Sequence, residues 1–158
     1  EELCTEIRCF QDKEMKKILI LICIYLPLVF LFANEKNEIS IENAKIRAVP
    51  PGSLNTGGFM IIKNHSNEDI KLIKADSDIS ESVELHTVTM VDKTMKMRPV
   101  DSIEIKKNDS LELKPGSFHI MFIGLKAPLK KDEKKVITLF FSNGKKETLT
   151  VPVVEMNR

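Results

Sequence analysis

Apolar and polar residues alternate in short runs from Ile39 to the end of the chain. In the run Ile39–Arg47 many apolar residues stand two positions apart, which is typical of a strand with one buried face. Similar runs recur, and none keeps the helical period of about 3.6 residues over a dozen positions. We predict strands at Ile39–Arg47, Phe59–Lys63, Ile70–Ala75, Ser82–Thr89, Met95–Val100, Ser102–Lys106, Ser110–Leu113, Phe118–Phe122, Val136–Ser142 and Glu147–Val151.

Turn-forming residues separate these runs. The stretch Val49–Gly58 contains two prolines and three glycines, and we predict a loop there because proline lacks a backbone donor and glycine favours turns. Asn143-Gly144 supplies the positive φ angles of a tight turn and predicts a hairpin between the last two strands. Short strands with frequent turns predict an all-β fold, either a β-sandwich or a Greek-key barrel.

The front of the chain has a different pattern. Met15-Lys16-Lys17 forms a short basic head, and Ile18–Ala33 is almost entirely apolar before the sequence turns polar. This order predicts a signal peptide at 15–33, with an uncleaved membrane anchor as the alternative. Residues 1–14 are interpreted as a segment upstream of the initiator, and 34–158 as one exported domain.

Charge and cysteine content narrow the function of residues 34–158. Their net charge is close to +2 and is spread along the chain, so nothing indicates binding to nucleic acid. All three cysteines lie before residue 34. Disulfide bonds and thiol chemistry are therefore excluded from the predicted domain.

Four possible metal donors have a fixed spacing in the second half of the chain. His86 is followed after ten residues by Met97, and after twenty-one more by His119-Ile120-Met121. Successive residues of a strand point to opposite faces, so His119 and Met121 share one face and Ile120 lies on the other. Imidazole and thioether are soft donors that favour Cu(I), whereas calcium and magnesium prefer oxygen. A blue-copper centre is disfavoured because its cysteine ligand is missing.

Other interpretations remain open from the residues alone. Single histidines in strands are often structural, and methionines often fill cores, as we expect for Met60. Met90 and Met95 share strand faces with His86 and Met97, so each is an auxiliary candidate ligand. We find no nucleophile motif or phosphate loop and predict no enzyme. The non-metal alternative is a β-sandwich adhesion or assembly module.

Residues from about Ile39 to Val153 resemble the periplasmic copper chaperone family PCu(A)C, also called DUF461. His86, Met97, His119 and Met121 reproduce the H-(M)-x10-M-x21-H-x-M fingerprint of that family, with Thr87 in place of its optional methionine. The flanking strings that carry the resemblance are Val83-Glu84-Leu85-His86, Met95-Lys96-Met97-Arg98-Pro99-Val100, Leu113-Lys114-Pro115-Gly116, Phe118-His119-Ile120-Met121 and Ile123-Gly124-Leu125-Lys126-Ala127-Pro128-Leu129.

The resemblance implies a cupredoxin-like β-barrel that binds copper(I) near its surface through these four residues. It also implies a periplasmic location and delivery of copper to a protein acceptor in respiratory cytochrome oxidase assembly, often alongside a thioredoxin-like copper protein. Passive copper sequestration for tolerance would use the same site without an acceptor.

Overall fold

The computed structural model describes residues 38–91 and 94–156. These residues form ten strands and no helix, so no helix among them is long and apolar enough to cross a membrane. The segments 1–14 and 15–33 lie outside the described residues. The strands are β1 (Ile39–Arg47), β2 (Asn55–Asn64), β3 (Ile70–Asp76), β4 (Ser80–Val91), β5 (Thr94–Pro99), β6 (Ile103–Ile105), β7 (Ser110–Leu113), β8 (His119–Leu125), β9 (Lys134–Phe141) and β10 (Lys146–Val154).

The strands pair in the order β5-β4-β8-β2-β1-β10-β9-β3-β6, and β7 pairs with the second half of β2. All neighbours are antiparallel except β1 and β10, which run parallel with Ile46 opposite Val153. This parallel contact joins two halves of the strand order. The first half contains β5, β4, β8, β2 and β1, and the second contains β10, β9, β3 and β6. The two halves also meet face to face, because β3 contacts β4 and β2 contacts β6. The predicted all-β fold is confirmed.

One hydrophobic core lies between the two halves. Ile120 and Phe122 of β8 are fully buried in it, as are Leu139 of β9 and Leu72 of β3. Each such side chain contributes about 1.5–3 kcal/mol by leaving water. Met60 is also buried, which confirms its predicted place in the core. The core thus takes one face of β8 and leaves the opposite face of that strand for other contacts.

The predicted loop at Val49–Gly58 is partly wrong, because β2 already begins at Asn55. Gly57 and Gly58 stand opposite Met121 and Ile120 of β8 and serve close packing within the sheet. A Cβ on Gly57 would lie 2.8 Å from the ring of Phe59, and one on Gly58 would lie 2.9 Å from the ring of Phe122. Glycine in a strand marks such close approach as well as turns.

The predicted hairpin between β9 and β10 is confirmed, with a different turn from the one expected. Gly144 has φ +81°, whereas Asn143 is not among the residues with positive φ. The Gly144 amide donates to the carbonyl of Phe141 at 3.0 Å, and the Phe141 amide donates to the carbonyl of Lys145 at 3.0 Å. A three-residue loop that ends in a left-handed glycine fits this pattern.

Candidate metal centre

The strand register brings the two predicted histidine ligands together. His86 of β4 stands directly opposite His119 of β8, and Glu84 stands opposite Met121. Residues paired across strands share a face, as do residues two apart in one strand. His86, His119 and Met121 therefore lie on one face of the sheet, opposite the face of Ile120 that enters the core. This arrangement agrees with the alternation expected from the sequence.

Met97 joins the same face through β5. Pro99 stands opposite His86, and Met97 stands opposite Val88 on the same two strands. Since Met97 is two residues from Pro99, its side chain emerges on the face of His86. The structure thus places all four predicted donors on one face across three neighbouring strands. None of the four lies on the opposite face of these strands.

His119 is buried and held in one orientation. Only 5% of the residue is exposed, and its Nδ1 lies 2.8 Å from the carbonyl oxygen of Ser117. A carbonyl can only accept, so Nδ1 carries the hydrogen and the neutral ring has its lone pair on Nε2. Burial lowers the pKa of His119, the Ser117 hydrogen bond acts in the opposite direction, and electrostatic interactions with His86 and Arg47 lower the pKa further. A neutral imidazole is the form that binds metal.

His86 is held through its other nitrogen. Its Nε2 lies 2.9 Å from Oε2 of Glu84, and a carboxylate in this pair accepts the hydrogen. Its Nδ1 is shielded from solvent and has no hydrogen-bond partner among the described residues. A buried nitrogen without a partner is costly unless a ligand satisfies it. In many metal sites, a carboxylate accepts a hydrogen bond from one nitrogen of a histidine and the metal binds the other nitrogen.

The two rings are close enough to serve one ion. The centroids of His86 and His119 are 5.8 Å apart, with the ring planes inclined by 53°. Metal–imidazole bonds of about 2.0 Å place each ring centroid about 3 Å from the ion. A separation slightly below twice that distance fits two imidazoles on a single bent centre. The spacing of the two imidazoles is therefore compatible with one shared metal ion.

A cleft of about 480 Å³ opens beside the histidines. Met97, His119 and Met121 line this cleft. His86 is not part of the lining, but its ring lies beside the ring of His119. Met97 is 59% exposed and Met121 is partly buried. The cleft is thus bordered by an outer thioether, an inner thioether and a buried imidazole.

The sequence reasoning missed three residues of this cleft. Arg47 lies over the ring of Phe59 at 5.5 Å, and that ring lies 6.4 Å from the ring of His119. Met156 lines the cleft from beyond β10. The alternation of β1 and β2 could have placed Arg47 and Phe59 on a strand face, but no spacing in the sequence connects them or Met156 to His119.

The types of donor side chain in the described part of the chain bear on which metal ion it could bind. Residues 38–91 and 94–156 contain no group of three or more His, Cys, Asp or Glu side chains able to hold an ion together. Zinc, calcium and magnesium sites are mostly built from such groups. Two imidazoles with two thioethers instead favour a soft monovalent ion.

The sequence model of the family described as "Putative lipoprotein LpqE-like" matches residues 39–153. The chain belongs to the LpqE-like family. A relative from Leifsonia xyli subsp. xyli, named "Putative lipoprotein Lxx21020", is 32% identical over 124 residues, covering 78% of this chain and 74% of the relative.

Solved structures similar to this LpqE-like protein include copper proteins. The Cu(I) form of DR1885 from Deinococcus radiodurans is 32% identical, with a TM-score of 0.57 over 73% of this chain and 76% of that chain. The copper-bound PCuAC domain of PmoF2 is 20% identical, with a TM-score of 0.64 over 75% and 94% of the two chains. The latter similarity concerns the fold, and it confirms the predicted cupredoxin-like β architecture.

Proposed function

We propose that this protein binds one Cu(I) ion through His86, Met97, His119 and Met121 and carries it to another protein. One observation supports this assignment above the others. The rings of the two histidines lie 5.8 Å apart, and Ser117 and Glu84 accept hydrogen bonds from different ring nitrogens, so that each ring in its neutral form keeps one lone pair for a metal. The similarity to the Cu(I) form of DR1885 supports the same ion.

The exposure of the donors suits a carrier better than a permanent site. His119 is buried and His86 is mostly covered, whereas Met97 is 59% exposed at the outer border of the cleft. A thioether is neutral and a weak donor, so an incoming ligand from an acceptor can replace Met97 first. The imidazoles then hold the ion until the acceptor has supplied enough ligands of its own.

The proposed setting is outside the cytoplasm. Relatives named as lipoproteins support an exported or membrane-attached protein. The resemblance to PCu(A)C proteins supports a periplasmic location and a recipient in cytochrome oxidase assembly, either directly or through a thioredoxin-like copper protein. In keeping with this carrier role, we propose that the protein is not an enzyme.

Anaerobic Cu(I) titration against a strong chromogenic chelator tests the binding site. Cysteines also bind Cu(I), so the experiment uses the full chain with Cys4→Ser, Cys9→Ser and Cys23→Ser. We expect one Cu(I) per chain to survive the competition, and a large loss of affinity in a His86→Ala, His119→Ala variant. A cysteine-free chain that retains no Cu(I) would contradict the proposal.

A transfer experiment separates a carrier from a passive store. The Cu(I)-loaded cysteine-free chain is mixed with a candidate acceptor, and the copper content of each protein is measured after separation. If the protein is a carrier, it transfers the ion to the acceptor. Its deletion then lowers oxidase activity, and added copper restores that activity. Retention of copper and unchanged oxidase activity would indicate sequestration.

A further inference from the structure

Three methionines are exposed together on the hairpin formed by β4 and β5. Met90 is 69% exposed, Met95 is 61% exposed and Met97 is 59% exposed. They are three of the six large hydrophobic side chains that are strongly exposed in residues 38–91 and 94–156. Solitary exposed apolar residues are ordinary, but three of one type on one hairpin need a reason.

The register places these methionines on a single face. Met90 stands directly opposite Met95, and Met97 follows two residues later on the same strand. All three therefore share the face that carries His86. Directly opposed residues have Cβ atoms about 4.5–5.5 Å apart. Two flexible thioethers at that spacing can both reach one ion through metal–sulfur bonds of about 2.3 Å.

This methionine pair leads towards the cleft. The terminal methyl carbon of Met95 lies 3.8 Å from the position that a Cβ would take on Gly116. Gly116 lines the cleft together with Met97 and His119. Met95 therefore extends from the edge strand β5 to the border of the proposed copper site, and Met97 lies between the outer pair and the histidines.

We propose that Met90, Met95 and Met97 form an outer thioether site that captures Cu(I) and passes it to the histidines. Met97 belongs to both sites and acts as the ligand shared during transfer. The ion moves by ligand exchange, in which one copper–sulfur bond breaks as a copper–nitrogen bond forms at His86 or His119. Copper stays in the +1 state, and no proton or electron is transferred because a thioether and a neutral imidazole each donate a lone pair without losing a proton.

The outer site is expected to be weaker than the inner one. It offers only thioethers on a solvent-exposed face, whereas the inner site adds two oriented imidazoles. The capture step stands on the hairpin geometry alone, while the passage inward rests on the proposed function. The two parts therefore need separate measurements.

The binding test removes the inner site while keeping Met97. In the cysteine-free chain with His86→Ala, His119→Ala and Met121→Leu, we expect one weakly bound Cu(I) under anaerobic conditions without a strong chelator. Methyl NMR signals of Met90 and Met95 should shift on titration. Adding Met90→Leu and Met95→Leu should abolish this binding, whereas Met60→Leu, a methionine buried in the core, serves as the matched control and should leave it unchanged. Absence of any Cu(I) binding in the variant that keeps the hairpin methionines would overturn the outer site.

The transfer test keeps the inner site intact. Met90→Leu and Met95→Leu together should slow Cu(I) loading from a weak chelator and leave the equilibrium affinity against a strong chelator unchanged. Unaltered loading kinetics would overturn the passage of copper through the hairpin. If the cysteine-free chain with all other residues intact holds no Cu(I) against the strong chelator, the proposed function fails, whatever the result for the hairpin.

Discussion

Replacing Glu84 by glutamine tests how His86 is prepared for metal. The carboxylate accepts a hydrogen from Nε2 of His86 at 2.9 Å, which keeps the lone pair on the shielded Nδ1. Glutamine has nearly the same shape, but its amide group can rotate and donate to Nε2 instead. That arrangement places the hydrogen on Nδ1 and removes the lone pair that we assign to copper.

The expected effect follows from the exposure of the pair. Loss of an outer partner of a metal-binding histidine typically costs about 10–100-fold in metal affinity. The side chain of Glu84 is 41% exposed, so water screens its charge and can replace part of the hydrogen bond. We therefore expect the lower end of the range for Glu84→Gln, about tenfold, which corresponds to about 1.4 kcal/mol of binding free energy.

Cu(I) affinity is measured by chelator competition in the cysteine-free chain, with Glu81→Gln as the matched control. Glu81 lies on the same strand and carries the same charge, but its side chain lies near Gly124. Nitrogen NMR of the apo protein should show the hydrogen of His86 on Nε2 and that of His119 on Nδ1. The reasoning is refuted if Glu84→Gln retains full affinity, or if His86 carries its hydrogen on Nδ1 before the substitution.

Three further predictions concern the methionines, the pH dependence and the last turn. Met97→Leu and Met121→Leu should each weaken Cu(I) binding in chelator competition. The free energy of unfolding of the apo protein, measured in urea, should change by less than about 1.5 kcal/mol because Leu and Met have similar volumes. Unchanged Cu(I) affinity would mean that the substituted methionine is not a ligand. Burial lowers the pKa of His119, so the unfolded chain binds a proton on this ring at higher pH than the folded protein does. Stability of the apo protein should therefore fall as pH decreases through the unfolded value of about 6.5, and His119→Gln should remove that part of the slope, which urea unfolding at several pH values measures. Gly144→Ala should cost about 1 kcal/mol in thermal unfolding because Gly144 has φ +81°, whereas Gly144→Asn should cost less since asparagine tolerates the left-handed region; equal costs would contradict this account of the turn.

Alternation along the chain was sufficient to predict most strands. The bounds of β1 and β7 agree with the prediction, because Pro50 and Pro115 follow the two runs within three residues. The start of β2 was missed because glycine is ambiguous. Gly57 and Gly58 resemble turn residues in sequence, but the rings of Phe59 and Phe122 occupy the space that a side chain at these positions would need.

The candidate site was only partly accessible from sequence. Spacing and donor chemistry selected His86, Met97, His119 and Met121, and alternation predicted that His119 and Met121 share a face. Which strands are neighbours, and in which register, depends on long-range pairing that local pattern does not encode. The hydrogen bonds that orient the two histidines and the contribution of Met156 therefore required the structure.

Met156 has a practical consequence for anyone who purifies this protein. It borders the cleft, so a polyhistidine sequence inserted close to this residue would bring its imidazoles near the proposed copper ligands. Such a tag adds imidazoles that compete for the ion and inflate the apparent stoichiometry. Polyhistidine handles near Met156 should be cleaved before any titration, or the protein should be isolated without one.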